Sequence, residues 1–358
     1  MSGRTVAEWV WYDTSTLAAL ARATLAPASA LFGAAVARRN RMFDGVPGAA
    51  VLPALSVGNV TVGGTGKTPV ASWFARQLAA RGARPVIILR GYGDDEWRVH
   101  QLLTPRVPVV VGADRVHAMV QAQRQGADCA VLDDAFQHRR AHRVADVVLV
   151  NVDRFRMPAR LLPAGPYRER LSALRRATAV VLTRKAAADE AVARAEAVIR
   201  EEAPQAAVAI VRLLPQAVQR VPSAGADAIP VSENAETAEP LGWLRHRRLL
   251  LTSAIADPDA FERQLIATGM QLVRHVRFPD HHAFSDAEIA RLVDEARRGD
   301  GVLCTLKDAV KLGPRWPREA PPLWYVSQTL VVDRGAEVLE RECDRVLAAR
   351  DATVPTVG

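Results

Sequence analysis

The segment Ser56-Val57-Gly58-Asn59-Val60-Thr61-Val62-Gly63-Gly64-Thr65-Gly66-Lys67-Thr68-Pro69 constrains this chain more than any other. An apolar, strand-like stretch from Val51 to Val57 runs into a glycine-rich turn, and a helical pattern begins near Thr68. Strand, glycine loop ending in Gly-Lys-Thr, then helix is the order a phosphate-binding P-loop requires. Gly63, Gly64 and Gly66 let the backbone wrap closely and turn its N–H groups inward, with Thr61, Val62 and Thr65 completing the loop. The positive end of the following helix favours the same anion. Lys67 can reach the β- and γ-phosphates, and the Thr68 hydroxyl can hold Mg2+. The usual pattern opens on Gly; here that position is Thr61.

From Val51 onward, short apolar runs alternate with helical stretches. Strands are expected at 51–57, 85–89, 107–111, 129–133, 146–151 and 178–183, with helices at about 68–81, 114–125 and 168–175. This alternation predicts an α/β fold, a mainly parallel P-loop NTPase-type sheet with helices on both faces. Strand 206–213 either closes or leaves this domain. A second, smaller α/β unit is expected from strands 248–253, 271–276, 301–305 and 322–326 and helices 258–268, 285–297 and 335–349. The predicted organisation is an N-terminal helical segment at 1–45, a P-loop domain at 46–215, a Pro-, Ala- and Glu-rich linker or mobile loop at 216–246, and the second domain at 247–350.

The N-terminal segment carries Leu17, Leu20, Leu31, Phe32 and Val36 on apolar faces, is preceded by Trp9, Trp11 and Tyr12, and is closed by Arg38, Arg39 and Arg41. Aromatics and a basic end suit a helix lying on an anionic membrane surface, and equally a helix packed on its own domain. Its longest apolar region, Ser15 to Ala37, is interrupted by Arg22 and Pro27, so no spanning helix and no cleavable signal peptide is predicted. Cys129, Cys304 and Cys343 match no zinc or disulfide spacing and fit a reducing, cytosolic compartment.

The net charge of +8 calls for an acidic partner. No basic-aromatic recognition motif is present, so nucleic acid is not expected. Of the 47 basic residues only Lys67, Lys185, Lys307 and Lys311 are lysine. In so arginine-biased a chain, a lysine marks a candidate place for a compact ammonium, which Lys67 fits and which Lys307 and Lys311 share more weakly.

Several further segments can carry chemistry. Val131-Leu132-Asp133-Asp134 ends a strand with paired acids, where a Walker-B-like carboxylate approaches the metal. Arg90-Gly91-Tyr92-Gly93-Asp94-Asp95-Glu96 follows another strand, and an acid there can act as base toward a hydroxyl. Phe278-Pro279-Asp280-His281-His282 offers one histidine for a proton-handling dyad, since adjacent residues of an extended chain face opposite ways. Arg168 or Arg170 in the Pro163–Arg170 turn, and Arg115 after a strand, can hold phosphate; Glu169 can assist the metal.

In this order the segments resemble the tetraacyldisaccharide 4'-kinase family of lipid A biosynthesis, over about residues 15 to 345. The blocks that carry the resemblance are the Thr61-containing loop, Arg90-Gly91-Tyr92-Gly93, Asp133-Asp134 with Gln137-His138, Leu162–Pro166 with Arg168-Glu169, Phe278–His282 and Lys307-Asp308-Ala309-Val310-Lys311. Ala135 and Leu306 depart from the family's usual Gly and Glu. The resemblance implies transfer of the ATP γ-phosphate to the 4'-hydroxyl of a tetraacylated glucosamine disaccharide 1-phosphate. It also implies a two-domain enzyme on the cytoplasmic face of the inner membrane; a peripheral monomer is expected. The family's catalytic carboxylate falls on Asp95, with Asp94 as the rival position, and His281 supports it. Base and partner are then expected on different domains that meet on closure. The alternative class is a P-loop GTPase or ATPase acting as a switch or metallochaperone.

Overall fold

A computed structural model describes residues 6–46, 48–91, 95–221 and 238–353. Asp94 and residues 222–237 of the expected linker lie outside them. The chain forms two compact units, one of Met1–Gly91, Val107–Arg212 and Val332–Gly358, the other of Tyr92–Arg106 and Leu213–Val331.

In the first unit Ala54–Asn59 lies between Cys129–Asp133 and Ala145–Asn151. Pro85–Leu89 and Val109–Val111 extend the sheet on one side, Ala179–Arg184 and the start of Ala207–Arg220 on the other, and every pairing is parallel. The first strand, Pro85–Leu89, Cys129–Asp133 and Ala145–Asn151 are buried at every position. Continuous burial is what a parallel sheet covered on both faces demands, and it explains the unbroken Val, Ile and Leu runs. Val86, Ile88, Ala130 and Leu132 pack with Ala118, Met119 and Ala122 of the helix Arg115–Arg124. Val148, Val150, Val180 and Leu182 pack with Val192, Ala195 and Ile199 of the helix Asp189–Glu202. The helix Lys67–Ala80 buries Val70, Phe74 and Leu78, one turn apart, and tolerates Pro69 because first-turn N–H groups have no intrahelical partner.

The N-terminal segment is two helices, Val6–Tyr12 and Thr16–Arg41. Ser15 caps the second by accepting from Ala18 N–H. The helix runs through Pro27, and Arg22 folds back to donate to the carbonyls of Val10 and Asp13 at 2.7 and 2.8 Å. It has 26 residues and its most apolar 18-residue stretch has a mean hydropathy of 1.4, so by length and composition it could cross a membrane, contrary to the expectation drawn from Arg22 and Pro27. One face is fastened down. The Ser29 hydroxyl donates to Leu161 O and accepts from Ala164 N–H, both at 3.0 Å, and a Cβ on Gly33 would meet Leu161 Cδ1 at 2.7 Å. Leu17, Leu20 and Leu31 stay exposed.

In the second unit the parallel strands run Gln271–Arg277, Arg248–Ser253, Val302–Thr305, Leu323–Arg334 in spatial order. Phe284, Ile289 and Leu292 fill one core with Val302 and Trp316; Phe261 and Leu265 fill another with Leu249, Leu251 and Leu303. Two short helices, Glu96–Leu103 and Leu306–Leu312, pack on each other here. The described part of the expected linker is ordered: Ala207–Arg220 continues past 216 and pairs antiparallel with Ala238–Pro240, because Val218 and Leu244 are needed in the core. The expected helix at 168–175 is a 3-10 turn, Leu171–Arg176, preceded by an extended Tyr167.

Candidate active site

The phosphate loop follows the central strand. Gly63 and Gly66 have φ of 98° and 86°, the left-handed region only glycine enters freely, and Gly66 is the N-cap of Lys67–Ala80. That cap has no side-chain hydrogen bond, so the first-turn amides remain available to an anion. Thr61 pairs in an antiparallel bridge with Tyr167, flanked by Val62 N–H to Pro166 O (2.9 Å) and Arg168 N–H to Val60 O (2.8 Å). An extended, paired position suits a β-branched residue, so the departure from Gly follows from the local fold. Three polar residues at strand ends pin the loop: Asn59 donates to Thr65 Oγ1 (3.1 Å), Asn151 to Gly64 O (3.0 Å) and Thr183 to Thr65 O (3.0 Å). Sequence reasoning missed all three; their signal was a polar residue ending an otherwise apolar strand beside the loop.

The paired acids lie on the neighbouring strand, where Asp133 stands in register with Val57. Asp134 has φ 50° and meets Lys67 Nζ at 3.6 Å and Arg168 Nη1 at 3.2 Å. Burial pushes its carboxyl up, but the two cations more than offset this and hold it below the usual range. Lys67, Arg168 and Asp134 therefore converge, two cations on one acid. Asp133 is 3% exposed, and its carbonyl accepts from Arg115. Arg115 is buried and also donates to Gly112 O at 2.8 Å, so these bonds tie two strand ends together. Glu169, expected at the metal, is 1% exposed and held by Arg176 at 2.9 Å and by Asn40 Nδ2 at 2.8 Å; its Oε1 has no hydrogen-bond partner among the described residues. Among the described residues no group of three or more His, Cys, Asp or Glu could hold a metal alone. The oxygens of Thr68, Asp133 and Asp134 fit Mg2+, which takes one or two carboxylates plus phosphate and water.

The second unit contains the other expected residues. Asp95 Oδ2 lies 3.5 Å from His281 Nδ1 and 2.9 Å from Lys311 Nζ, with the carboxylate 1% exposed. Burial raises its proton affinity, but the neighbouring His281 and Lys311 outweigh this and depress it far below the usual range. His281 moves up, first through its bond to Asp95 and against its own burial. The expectation that Asp95 and His281 belong to different domains is corrected: both lie in this unit, because the helix Glu96–Leu103 packs on Leu306–Leu312, with Lys307 Nζ 3.8 Å from Glu96. His282 turns away, 3.0 Å from Glu288. Lys311 completes a trio; the sequence had flagged it through the rarity of lysine and as part of the Lys307–Lys311 block, without a role.

A family model described as tetraacyldisaccharide-1-P 4'-kinase matches residues 21–347. The chain belongs to this family. It is an enzyme, a kinase. A tetraacyldisaccharide 4'-kinase of Anaeromyxobacter sp. (strain Fw109-5) is 35% identical over 388 residues, covering 99% of this chain and 100% of the relative. One from Geobacter metallireducens is 36% identical over 321 residues, covering 82% and 88%. Among solved structures, an "apo" form of LpxK from Aquifex aeolicus in complex with ATP superposes with a TM-score of 0.68 at 25% identity, covering 91% of this chain and 99% of that one. The expected α/β architecture and family membership are borne out.

Proposed function

We propose that this kinase transfers the γ-phosphate of ATP to the 4'-hydroxyl of a tetraacyldisaccharide 1-phosphate, working as a peripheral, monomeric enzyme at the cytoplasmic face of the inner membrane. The observation that carries the reading is the convergence of Lys67 and Arg168 on Asp134 beside the open N-terminus of the helix Lys67–Ala80. These cations are held in place by an acid until triphosphate oxygens replace it. Phosphoryl transfer asks the protein chiefly for positioning and for neutralisation of charge on the transferring group. The loop amides and Lys67 hold the β- and γ-phosphates, and Arg168 adds a second cation. Thr68 with Asp133 or Asp134 would hold Mg2+, and Glu169 and Arg115 support that end of the site. The ion, when bound, neutralises developing charge on the phosphate oxygens. The Asp95–His281 pair receives the proton of the acceptor hydroxyl.

The N-terminal helix supports the membrane assignment, with Leu17, Leu20 and Leu31 exposed and Arg38, Arg39 and Arg41 in its last turn. The deciding experiment is transfer from γ-labelled ATP to tetraacyldisaccharide 1-phosphate in detergent micelles. Label on the lipid is expected; ATP hydrolysis that ignores the lipid would overturn the reading in favour of a P-loop switch.

A further inference from the structure

The second unit carries a basic face that phosphoryl transfer does not use. Arg248–Ser253, Gln271–Arg277 and Val302–Thr305 run parallel, so Arg248, Gln271 and Val302 lie on one edge of their sheet. Ser253 and Thr305 lie on the opposite edge, where Ala254 accepts from His281 N–H and Thr305 caps the helix that holds Lys311. A strand of this length separates the two edges by about 17 Å. The segment entering the first edge is Trp243-Leu244-Arg245-His246-Arg247-Arg248. Leu244 is buried in the core, whereas Arg245, His246 and Arg248 are exposed. Arg245 Nε donates to Thr268 O at 3.4 Å, and Arg247 O accepts from Gln271 N–H at 3.3 Å. Arg248 N–H donates to Asp300 Oδ2 at 2.8 Å, and its carbonyl accepts from Asp300 N–H at 2.7 Å. The turn before Asp300 adds the exposed Arg297 and Arg298. These five arginines face two acids, Asp300 and Asp294, the latter 3.8 Å from Arg297.

Among the described residues the second unit exposes two large apolar side chains, and both border this face. Ile266, 49% exposed, ends the helix Pro258–Ile266 two residues before Thr268. Val273, 38% exposed, is the residue left unpaired where the register of the edge strand shifts between Leu272 and Arg274. Such a bulge re-aims a side chain. Val273 Cγ2 would lie 3.4 Å from a Cβ on Gly299, beside Arg248. Cations interspersed with outward apolar side chains match an anionic bilayer surface, phosphates outside and hydrocarbon just beneath. A single-stranded nucleic acid would instead ask for an open aromatic face on which a base can stack. The Trp243 ring is already engaged, by Trp324 with ring centroids 4.6 Å apart and by the Arg247 guanidinium 4.6 Å from its centroid.

We propose that this edge of the second unit is a contact for anionic phospholipid, with Arg245, Arg247 and Arg248 on the lipid phosphates and Ile266 and Val273 in the headgroup layer. Trp243 holds the Arg247 guanidinium in place, so less side-chain freedom is lost when a phosphate binds. This contact is separate from the one assigned above to the N-terminal helix and stands without it.

The test places an environment-sensitive dye on Ile266→Cys in the full chain; Cys129, Cys304 and Cys343 are buried and escape labelling. Phosphatidylglycerol vesicles are expected to shift the dye emission to the blue, and phosphatidylcholine vesicles to leave it unchanged. Replacing Arg245, Arg247 and Arg248 together by Gln should weaken the affinity read by the dye about 10²-fold, about fivefold per charge, and flatten its salt dependence. Val273→Ser should weaken it about threefold. Both variants are expected to keep native ATP affinity and thermal unfolding. The dye response should also survive replacement of Leu17, Leu20 and Leu31 by Ser, which distinguishes this face from the helix. A silent dye on protein that sediments with phosphatidylglycerol leaves docking to the helix and overturns the proposal, as does an unchanged affinity in the arginine variant. A response lost with the three leucines denies the face an affinity of its own. Binding of a single-stranded oligonucleotide that the arginine variant loses, with no response to vesicles, makes the face a nucleic-acid site instead.

Discussion

Asp308 offers a quantitative test of the second unit. Its side chain is 0% exposed; Oδ1 accepts from Ala254 N–H at 3.2 Å and Oδ2 from Thr305 Oγ1 at 2.6 Å. Burial raises its carboxyl from the ordinary 3.8 to about 6, only partly offset by Thr305, Ala254 N–H and Lys311. Between those values the folded protein binds more protons than the unfolded chain, so stability falls as pH rises through this window and levels off above about pH 6. Keeping this carboxylate ionised in the interior therefore costs the fold about 3 kcal/mol at pH 7. Asparagine keeps the acceptor for Ala254 N–H and can donate to Thr305, without a charge to bury. Asp308→Asn is therefore expected to be more stable than the native protein at pH 7–8 by up to about 3 kcal/mol, or about 10 °C in Tm, and equal to it near pH 4. Calorimetric unfolding from pH 4 to 8, with amide exchange of the Leu306–Leu312 helix to localise the effect, measures this. A mutant less stable at all pH values, or one whose difference from the native protein does not change with pH, refutes the argument that a buried charge is the cost.

Three further perturbations address the first unit. Lys67→Ala should lower kcat by about 10³-fold or more while unfolding stability changes little, since the side chain meets a partly exposed acid and not the core. Thr61→Gly restores the usual loop pattern yet should cost about 1 kcal/mol of stability at its bridge to Tyr167, with ATP affinity changed less than about threefold; equilibrium unfolding and nucleotide titration measure the two effects. Replacing Leu17, Leu20 and Leu31 together by Ser should weaken binding to anionic liposomes by about 10²-fold or more and leave ATP affinity intact. A parallel loss of both would deny the exposed face a membrane role.

Legibility in the sequence followed the range of the forces involved. Pro85–Leu89, Cys129–Asp133 and Arg248–Ser253 were expected residue for residue, because a parallel strand buried on both faces shows as a short apolar run. The helices Glu96–Leu103, Asp189–Glu202 and Leu306–Leu312 went unforeseen. The first and last are short and owe their helicity to packing on each other; the middle one carries Val192, Ala195 and Ile199 in an alanine- and glutamate-rich stretch of weak contrast. The helix through Pro27 persists because Ser29 and Gly33 dock on Leu161, a contact distant in sequence. At the site, Lys67, Thr68 and the paired acids were legible from one local motif. The pairing of Asp95 with His281 came only from the family resemblance, and its contact with Lys311, more than two hundred residues away along the chain, was not legible.

The fastening of the N-terminal helix bears on how the enzyme is handled at the bench. Ser29 grips Leu161 and Ala164, and Asn40 grips Glu169. The same turn, through Pro166, Tyr167 and Arg168, is laced to Val60, Thr61 and Val62 at the mouth of the phosphate loop. The helix is thus a splint for the loop as well as a greasy surface. Truncating residues 1–40 to gain solubility would remove both properties at once, and lost activity in such a protein would not report on the bilayer. Polar substitution of the outward leucines separates the two.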